Sequence, residues 1–263
     1  MHPFIGIFGR DLPAYGMMLV FSGFAAWFVL FLLSKIKKEL DDNDVLLTFL
    51  IGICGGVAGA ISLRPIMRIV EVAFSWQQFS ALSFTELFQY ISGEIVFYGG
   101  FLGGLAAVVL FCRKFKIKIV PMFDILAPAV AIGHAFGRIG CHLGGCCYGM
   151  QVSSNHPFAV VFPENSLVAP PGVPLLATQL LEAGFLFILG TVLVIVYLKS
   201  RKKGICATLY LLVYPAWRFM LEYFRADSVR GNYWLFTTSQ YISIALFIFG
   251  ICYYLFMRKR PCN

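Results

Sequence analysis

Between Gly137 and Gly149 the chain reads Gly-Arg-Ile-Gly-Cys-His-Leu-Gly-Gly-Cys-Cys-Tyr-Gly, an arginine, a histidine and three thiols among five glycines. The stretch closes a long apolar run. A guanidinium stays charged in any protein environment, and its planar fork matches carboxylate or phosphate oxygens two at a time. Charge at membrane depth is costly and is retained for function. A second group lies at Tyr214, Arg218, Glu222 and Arg225, spaced four, four and three apart. On a helix that spacing puts all four on one face. Their neighbours Leu211, Leu212, Trp217, Phe219, Met220 and Leu221 are apolar. A polar stripe on such a helix faces a protein interior or a wet cavity, not lipid. Two readings follow: an Arg–Glu pair that joins helices, or an anion site in which Glu222 orients Arg218. The anion most available at that depth is a phospholipid phosphate. Arginines that snorkel to headgroups are the bland alternative. It suits Arg225 and Arg230 better than Arg138 and Arg218, which lie inside apolar runs.

Glycines supply a third group, Tyr98-Gly99-Gly100-Phe101-Leu102-Gly103-Gly104. Small residues let helices approach closely, which explains Gly103 and Gly104. Gly99 and Gly100 stand at a helix start, where free backbone N–H groups and the dipole can hold an anion. Tyr98 is an interfacial aromatic or a polar group pointing into a site.

The elements that carry these groups follow from composition. Of 263 residues, 59% are hydrophobic and 13% charged, with mean hydropathy +0.80. Soluble domains hold about 45–50% apolar and about 25% charged residues. The chain therefore reads as an all-α polytopic membrane protein. Apolar segments run over 13–34, 45–63, 95–112, 120–140, 175–198, 205–222 and 238–257. Each suffices, or nearly so, to cross about 30 Å of hydrocarbon as a helix. The first has no small-residue cleavage site and is followed by Lys35, Lys37 and Lys38, so it reads as a span and not a cleaved leader.

The net charge of +8 sits in short clusters, Lys35–Lys38, Arg113–Lys118, Lys199–Lys203 and Arg258–Arg260. A nucleic-acid partner would need a basic face on a soluble domain. With seven spans, all four clusters fall on one side. The positive-inside rule makes that side cytoplasmic, with the N-terminus outside and the C-terminus inside. One membrane domain, 1–263, then has outer-face segments 64–94 and 141–174. The first holds Arg64 and Arg68 and an interfacial helix near Trp76. The second has a Pro-rich part, 150–174, that suits a lid or an acceptor-binding arm.

These motifs together resemble the prolipoprotein diacylglyceryl transferases of bacteria. Pro13-Ala14-Tyr15-Gly16-Met17-Met18 resembles the family's N-terminal Tyr-Gly stretch. Tyr98-Gly99-Gly100 resembles its His-Gly-Gly motif. Asp124-Ile125-Leu126-Ala127-Pro128 and Gly137-Arg138-Ile139-Gly140 resemble the two ends of its signature helix. Thr178-Gln179-Leu180-Leu181-Glu182, the helix from Tyr214 to Arg225 and Ser239-Gln240-Tyr241 complete the series in order. The resemblance implies transfer of a diacylglyceryl group from phosphatidylglycerol, or another anionic phospholipid, to a lipobox cysteine at the outer face of the bacterial cytoplasmic membrane. Glycerol phosphate leaves, and no metal or soluble cofactor takes part. It assigns catalysis to Arg138, Arg218, Glu222 and Tyr98. It assigns substrate binding to Tyr15, Gly99, Gly100, Gly137, Gly140, His142, Gln179, Tyr214, Arg225 and Gln240.

The chain departs from the family pattern at two places. Tyr98 replaces a histidine, and a phenol of pKa about 10 is a poor base at neutral pH. After Gly140 the family's Asn-rich continuation gives way to Cys141, His142, Cys146 and Cys147. A paralogue with a different acceptor or a different phospholipid-derived group is therefore an alternative. A lipid-binding or transport protein is a second. A transporter would carry its polar groups near the midplane, whereas here they gather toward one face.

The three clustered cysteines admit a disulfide from Cys141 to Cys146 or Cys147, a metal site with a nearby histidine, a reactive thiol, or passive packing. The spacing Cys-x4-Cys-Cys is not a standard zinc pattern. Cys54, Cys112, Cys206, Cys252 and Cys262 read as apolar residues or free thiols.

Overall fold

The computed structural model describes residues 4–7, 10–74, 83, 86, 97–164, 166, 168–226, 232–233 and 235–259. Trp76, Arg230 and Cys262 lie outside the described residues. Each predicted apolar segment contains one helix: α1 (Ala14–Lys37), α2 (Asp42–Phe74), α3 (Phe97–Lys114), α4 (Ile119–Leu143), α5 (Thr178–Lys199), α6 (Ile205–Glu222) and α7 (Thr238–Arg258). Five of them, α1, α2, α4, α5 and α7, are long and apolar enough to cross a membrane. The 18-residue α3 and α6 carry the remaining two predicted segments. Three antiparallel ribbons add to the expected all-helical fold: β1 (Phe4–Ile7) with β2 (Arg10–Pro13), β3 (Ala159–Val161) with β4 (Pro174–Leu176), and β5 (Asn232–Tyr233) with β6 (Phe236–Thr237).

The chain divides into two compact units, one of 40–119 and one of 1–39 with 120–263. In the smaller unit α2 and α3 meet along glycine. A Cβ placed on Gly59 would strike the Gly99 carbonyl oxygen and lie 2.9 Å from the Gly103 Cα. Gly55 faces Ala107 and Gly103 in the same way, and Gly56 faces Gly100. All four α3 glycines thus pack on α2, Gly99 and Gly100 among them. Close backbone approach of this kind replaces the hydrophobic drive that lipid removes.

In the larger unit α1 lies against α4. The Ser22 hydroxyl donates to the Gly133 carbonyl at 2.6 Å. A Cβ on Gly140 would come 2.9 Å from Met18 Cβ and 3.4 Å from the Tyr15 ring. Two prolines interrupt helical ladders without ending the helices. Pro215 removes the bond that the Leu211 carbonyl would accept, and there Gly250 of α7 comes close to α6, 3.1 Å from Leu211 O to a built Cβ.

The basic ends of this unit gather together. The Lys37 ammonium donates to the carbonyls of Tyr197 at 3.0 Å and Ser200 at 3.2 Å. Gly204 packs on the Met257 side chain. At this end the Asp124 carboxylate accepts from the backbone N–H of Ala207 at 3.0 Å and from that of Gly204. A carboxylate from α4 thereby caps the start of α6, where free N–H groups and the dipole favour negative charge.

The 144–177 connection, which holds the Pro-rich part 150–174 expected as a lid or arm, folds on itself. Phe162, Ala169 and Leu175 form its buried core, with Tyr148, Val160 and Val173 packed around them.

Candidate active site

At the other end of the larger unit, four helices converge on two ion pairs. Arg138 of α4 reaches Glu182 of α5, Nη2 to Oε1 at 3.1 Å. The Tyr214 hydroxyl of α6 donates to the same oxygen at 3.1 Å. Arg218, one turn further along α6, meets Glu222 at 2.7 Å and donates to Ser239 Oγ of α7 at 3.2 Å. Glu222 also accepts from the Thr237 hydroxyl at 3.0 Å and lies 3.8 Å from Arg225 Nε. The polar spacing read on α6 is thus the spacing of one network. Arg218 also acts electrostatically on Glu182, which joins the two pairs.

These charges are out of water: Glu182 is 1% exposed, Arg218 6% and Glu222 7%. Buried ion pairs gain little net stability, but removing one partner strands the other at a cost of about 3–5 kcal/mol. Two donors stay unused. Arg138 Nε and Arg218 Nη1 are buried with no hydrogen-bond partner among the described residues. An unmet buried donor costs about 1–3 kcal/mol. Three guanidinium groups, those of Arg138, Arg218 and Arg225, and two carboxylates, those of Glu182 and Glu222, meet in this network.

The remaining predicted residues divide by what they touch. Gln179 donates through Nε2 to the Cys146 carbonyl at 2.6 Å, which pins the turn after α4. His142 is buried, its ring 5.8 Å from that of Phe162. Gln240 accepts from the Thr237 N–H at 3.0 Å, and the Thr237 hydroxyl accepts from the Gln240 N–H at 3.3 Å. This capping box starts α7, and its threonine is the one bonded to Glu222. Arg225 is held by its backbone, which bridges Gly149, while the Met150 N–H donates to the Phe224 carbonyl at 2.8 Å. Gly149 has no room for a side chain: a Cβ would lie 2.7 Å from Thr178 and 2.8 Å from Phe224 O. Gly140 serves the contact with α1, and Tyr15 sits there half in solvent. Gly137, one residue before Arg138, has open space above it. Tyr98, Gly99 and Gly100 lie near the start of α3, in the smaller unit; the Tyr98 side chain is outside the described part.

Sequence reasoning passed over Glu182 as a site residue, although it is the partner of Arg138. The signal was available: Gln179 and Glu182 are three apart on an apolar helix, the argument already used for Arg218. His134 stands one turn before Arg138, its ring centroid 5.1 Å from that of Tyr214.

The cysteine turn closes α4 as a Schellman motif. The Cys146 N–H bonds the Cys141 carbonyl at 3.0 Å, and the Gly145 N–H bonds His142 at 3.2 Å. Gly145 takes the left-handed conformation, φ 70°, that this cap requires. The motif brings its third-from-last helical position against its second outside position, here Cys141 and Cys146. Cys147 follows at φ 63°. None of the three is in a disulfide among the described residues, and their Sγ atoms lie within 4.8 Å of one another. Hydrogen bonds from the other two thiols, with Arg225 and Arg138 nearby, push the Cys147 thiol well down. The same hydrogen bonding pushes the Cys146 thiol up.

The chain matches the family profile described as prolipoprotein diacylglyceryl transferase over residues 4–256. The chain belongs to this family. It is 34% identical over 255 residues to phosphatidylglycerol--prolipoprotein diacylglyceryl transferase 2 of Clostridium perfringens (strain 13 / Type A), covering 94% of this chain and 92% of that one. It is 33% identical over 245 residues to phosphatidylglycerol--prolipoprotein diacylglyceryl transferase of Clostridium tetani (strain Massachusetts / E88), covering 93% of each. The protein of the same name from Acinetobacter baylyi (strain ATCC 33305 / BD413 / ADP1) is 30% identical over 254 residues. This diacylglyceryl transferase is therefore an enzyme, and its five long apolar helices make it a multi-pass membrane protein.

Proposed function

We propose that this transferase moves the diacylglyceryl group of phosphatidylglycerol onto the thiol of a lipobox cysteine in a prolipoprotein, at the outer leaflet of the cytoplasmic membrane. The observation that carries this reading is the pair of unused buried donors, Arg138 Nε and Arg218 Nη1, in one ion-pair network. The acceptor sulfur attacks the glyceryl carbon that bears the phosphate. A C–S bond forms, the C–O bond breaks, and glycerol phosphate leaves with the electron pair. Negative charge grows on the leaving phosphate. Donors already fixed where charge develops act in low dielectric and need no reorganisation. Arg138 and Arg218 supply those donors, and Glu182 and Glu222 hold their guanidinium planes.

The thiol must lose its proton before it attacks. The positive charge of Arg138 and Arg218 favours the thiolate. Tyr98 positions the headgroup by a hydrogen bond, because its phenol is too weak a base at neutral pH. Gly99 and Gly100, at the start of α3, and Tyr15, Gly137, Gly140, His142, Gln179, Tyr214 and Gln240 complete the substrate-binding set. The gathered lysines and arginines at the other end of the helices support a cytoplasmic placement of that end, which leaves the site outside.

The test is purified protein with labelled phosphatidylglycerol and a lipobox peptide. Glycerol phosphate and lipidated peptide should appear together, and Arg138→Ala and Arg218→Ala should lose both. Release of no glycerol phosphate with any thiol peptide, from protein that is folded, would refute the assignment. Restoration of lipoprotein lipidation in a transferase-depleted bacterium is the matching test in cells.

A further inference from the structure

We propose that Cys141, Cys146 and Cys147 bind one thiophilic closed-shell metal cation, of the class of Zn(II) and Cu(I), which locks the end of α4 to the segment leading to Gly149. The inference rests on the thiol cluster and not on the identity of the acceptor.

Geometry comes first. Three sulfurs each about 2.3 Å from a common centre in a plane lie about 4.0 Å apart. The three Sγ atoms already stand within 4.8 Å of one another, so a cation would gather them by small side-chain movements. The Schellman turn produces this convergence from a spacing that zinc-finger patterns do not contain. Two thiols four residues apart in the gap are drawn together because Gly145 reverses the chain between them.

The scaffold is fixed independently of the thiols. Gln179 Nε2 donates to the Cys146 carbonyl, the Thr178 hydroxyl donates to the Cys147 carbonyl at 2.9 Å, and the Ala169 N–H donates to the Gly145 carbonyl at 2.9 Å. Each cysteine is partly exposed, which leaves a route for the ion. Metal ligands held by an outer shell of hydrogen bonds bind more tightly than mobile ones. Charge also balances. Three thiolates around a divalent ion carry a net negative charge, and Arg138 and Arg225 both act on this cluster.

The competing uses of the cluster fit less well. A disulfide employs two sulfurs and leaves the third without a reason to converge. A cysteine of the enzyme that attacked the donor lipid would form a thioether, and a thioether sulfur does not leave again as phosphate does. The enzyme would be spent after one turnover. A bound cation uses all three thiols. It fixes Cys141, three residues after Arg138, to the segment whose Gly149 bridges Arg225, so its effect is to position two arginines.

The test uses full-length protein purified in detergent, reduced, freed of metal, and titrated with Zn(II) or Cd(II) alone. We expect one ion per chain, a thiolate-to-cadmium charge-transfer absorption, and a higher melting temperature with zinc. The triple variant Cys141→Ser/Cys146→Ser/Cys147→Ser should lose the ion, and Cys147→Ser alone should weaken binding at least tenfold. Cys54→Ser/Cys252→Ser, which alters exposed thiols elsewhere, should bind as the parent does. Absence of a bound ion, or binding that persists in the triple variant, would overturn the proposal. So would a Cys141–Cys146 or Cys141–Cys147 disulfide in protein whose thiols were blocked at cell lysis.

Discussion

Between α2 and α3 the contact is backbone on backbone; among α4, α5, α6 and α7 it is charge on charge. Both arrangements answer the same problem. Inside a bilayer, apolar side chains gain nothing by leaving lipid for one another, so helices associate through close packing or through polar bonds. The glycine seam of the smaller unit uses the first means. The network of the larger unit uses the second and does more than association needs. A purely structural pair would satisfy its own donors. Arg138 Nε and Arg218 Nη1 have no hydrogen-bond partner among the described residues, and the proposed phosphate site rests on them.

The contrast can be broken from either side. Glu182→Ala should have the largest effect, because it strands Arg138 in a buried place. The expected loss is about 3–5 kcal/mol, read as a lower melting temperature in detergent, with Glu182→Gln recovering part of it. Arg138→Ala and Arg218→Ala should lower the rate of transfer by about 10²–10³-fold. Each also strands a buried carboxylate and should lower the melting temperature, so the rate is compared on protein that elutes as the parent does. Gly59→Val acts on the seam instead. The new side chain meets backbone at Gly99 and Gly103, and overpacking should cost about 1–3 kcal/mol. The loss is read as a lower melting temperature in detergent. Gly184→Ala, on an exposed face of α5 with nothing within 4 Å, should change neither activity nor packing. It should raise stability by about 0.5–1 kcal/mol through helix propensity. If Gly184→Ala proves as damaging as Gly59→Val, close approach is not what the seam glycines provide.

Much of this was legible in the residues. The seven helices of the described residues follow from apolar length, and the face shared by Tyr214, Arg218 and Glu222 follows from spacing alone; Arg225 was expected on the same face but lies beyond the end of α6, in a bridge to Gly149. The partner of Arg138 was harder to read because it lies on another helix, and spacing speaks only within one element. The cysteine turn was half legible. Its Gly145 marks a helix end, yet the meeting of Cys141 with Cys146 depends on which glycine takes the left-handed position. The packing of Gly99 and Gly100 against α2 was hidden for the same reason as Glu182: the answering residues are some forty positions away in sequence. The folded core under Phe162 was missed because a Pro-rich stretch looks like loop until its few apolar residues are seen to meet.

The Asp124 carboxylate, far from the ion pairs, sets a common depth. It ties α4 to the first residues of α6 at Gly204 and Ala207. Arg138 stands fourteen residues beyond Asp124, and Arg218 stands fourteen beyond Gly204. At 1.5 Å per residue both arginines lie roughly 21 Å along their helices from one shared mark. The two guanidinium groups reach the same level because both helices are measured from the same carboxylate. One residue inserted between mark and arginine on either helix would lift one cation about 1.5 Å past the other and turn it away, leaving every local contact at Asp124 intact.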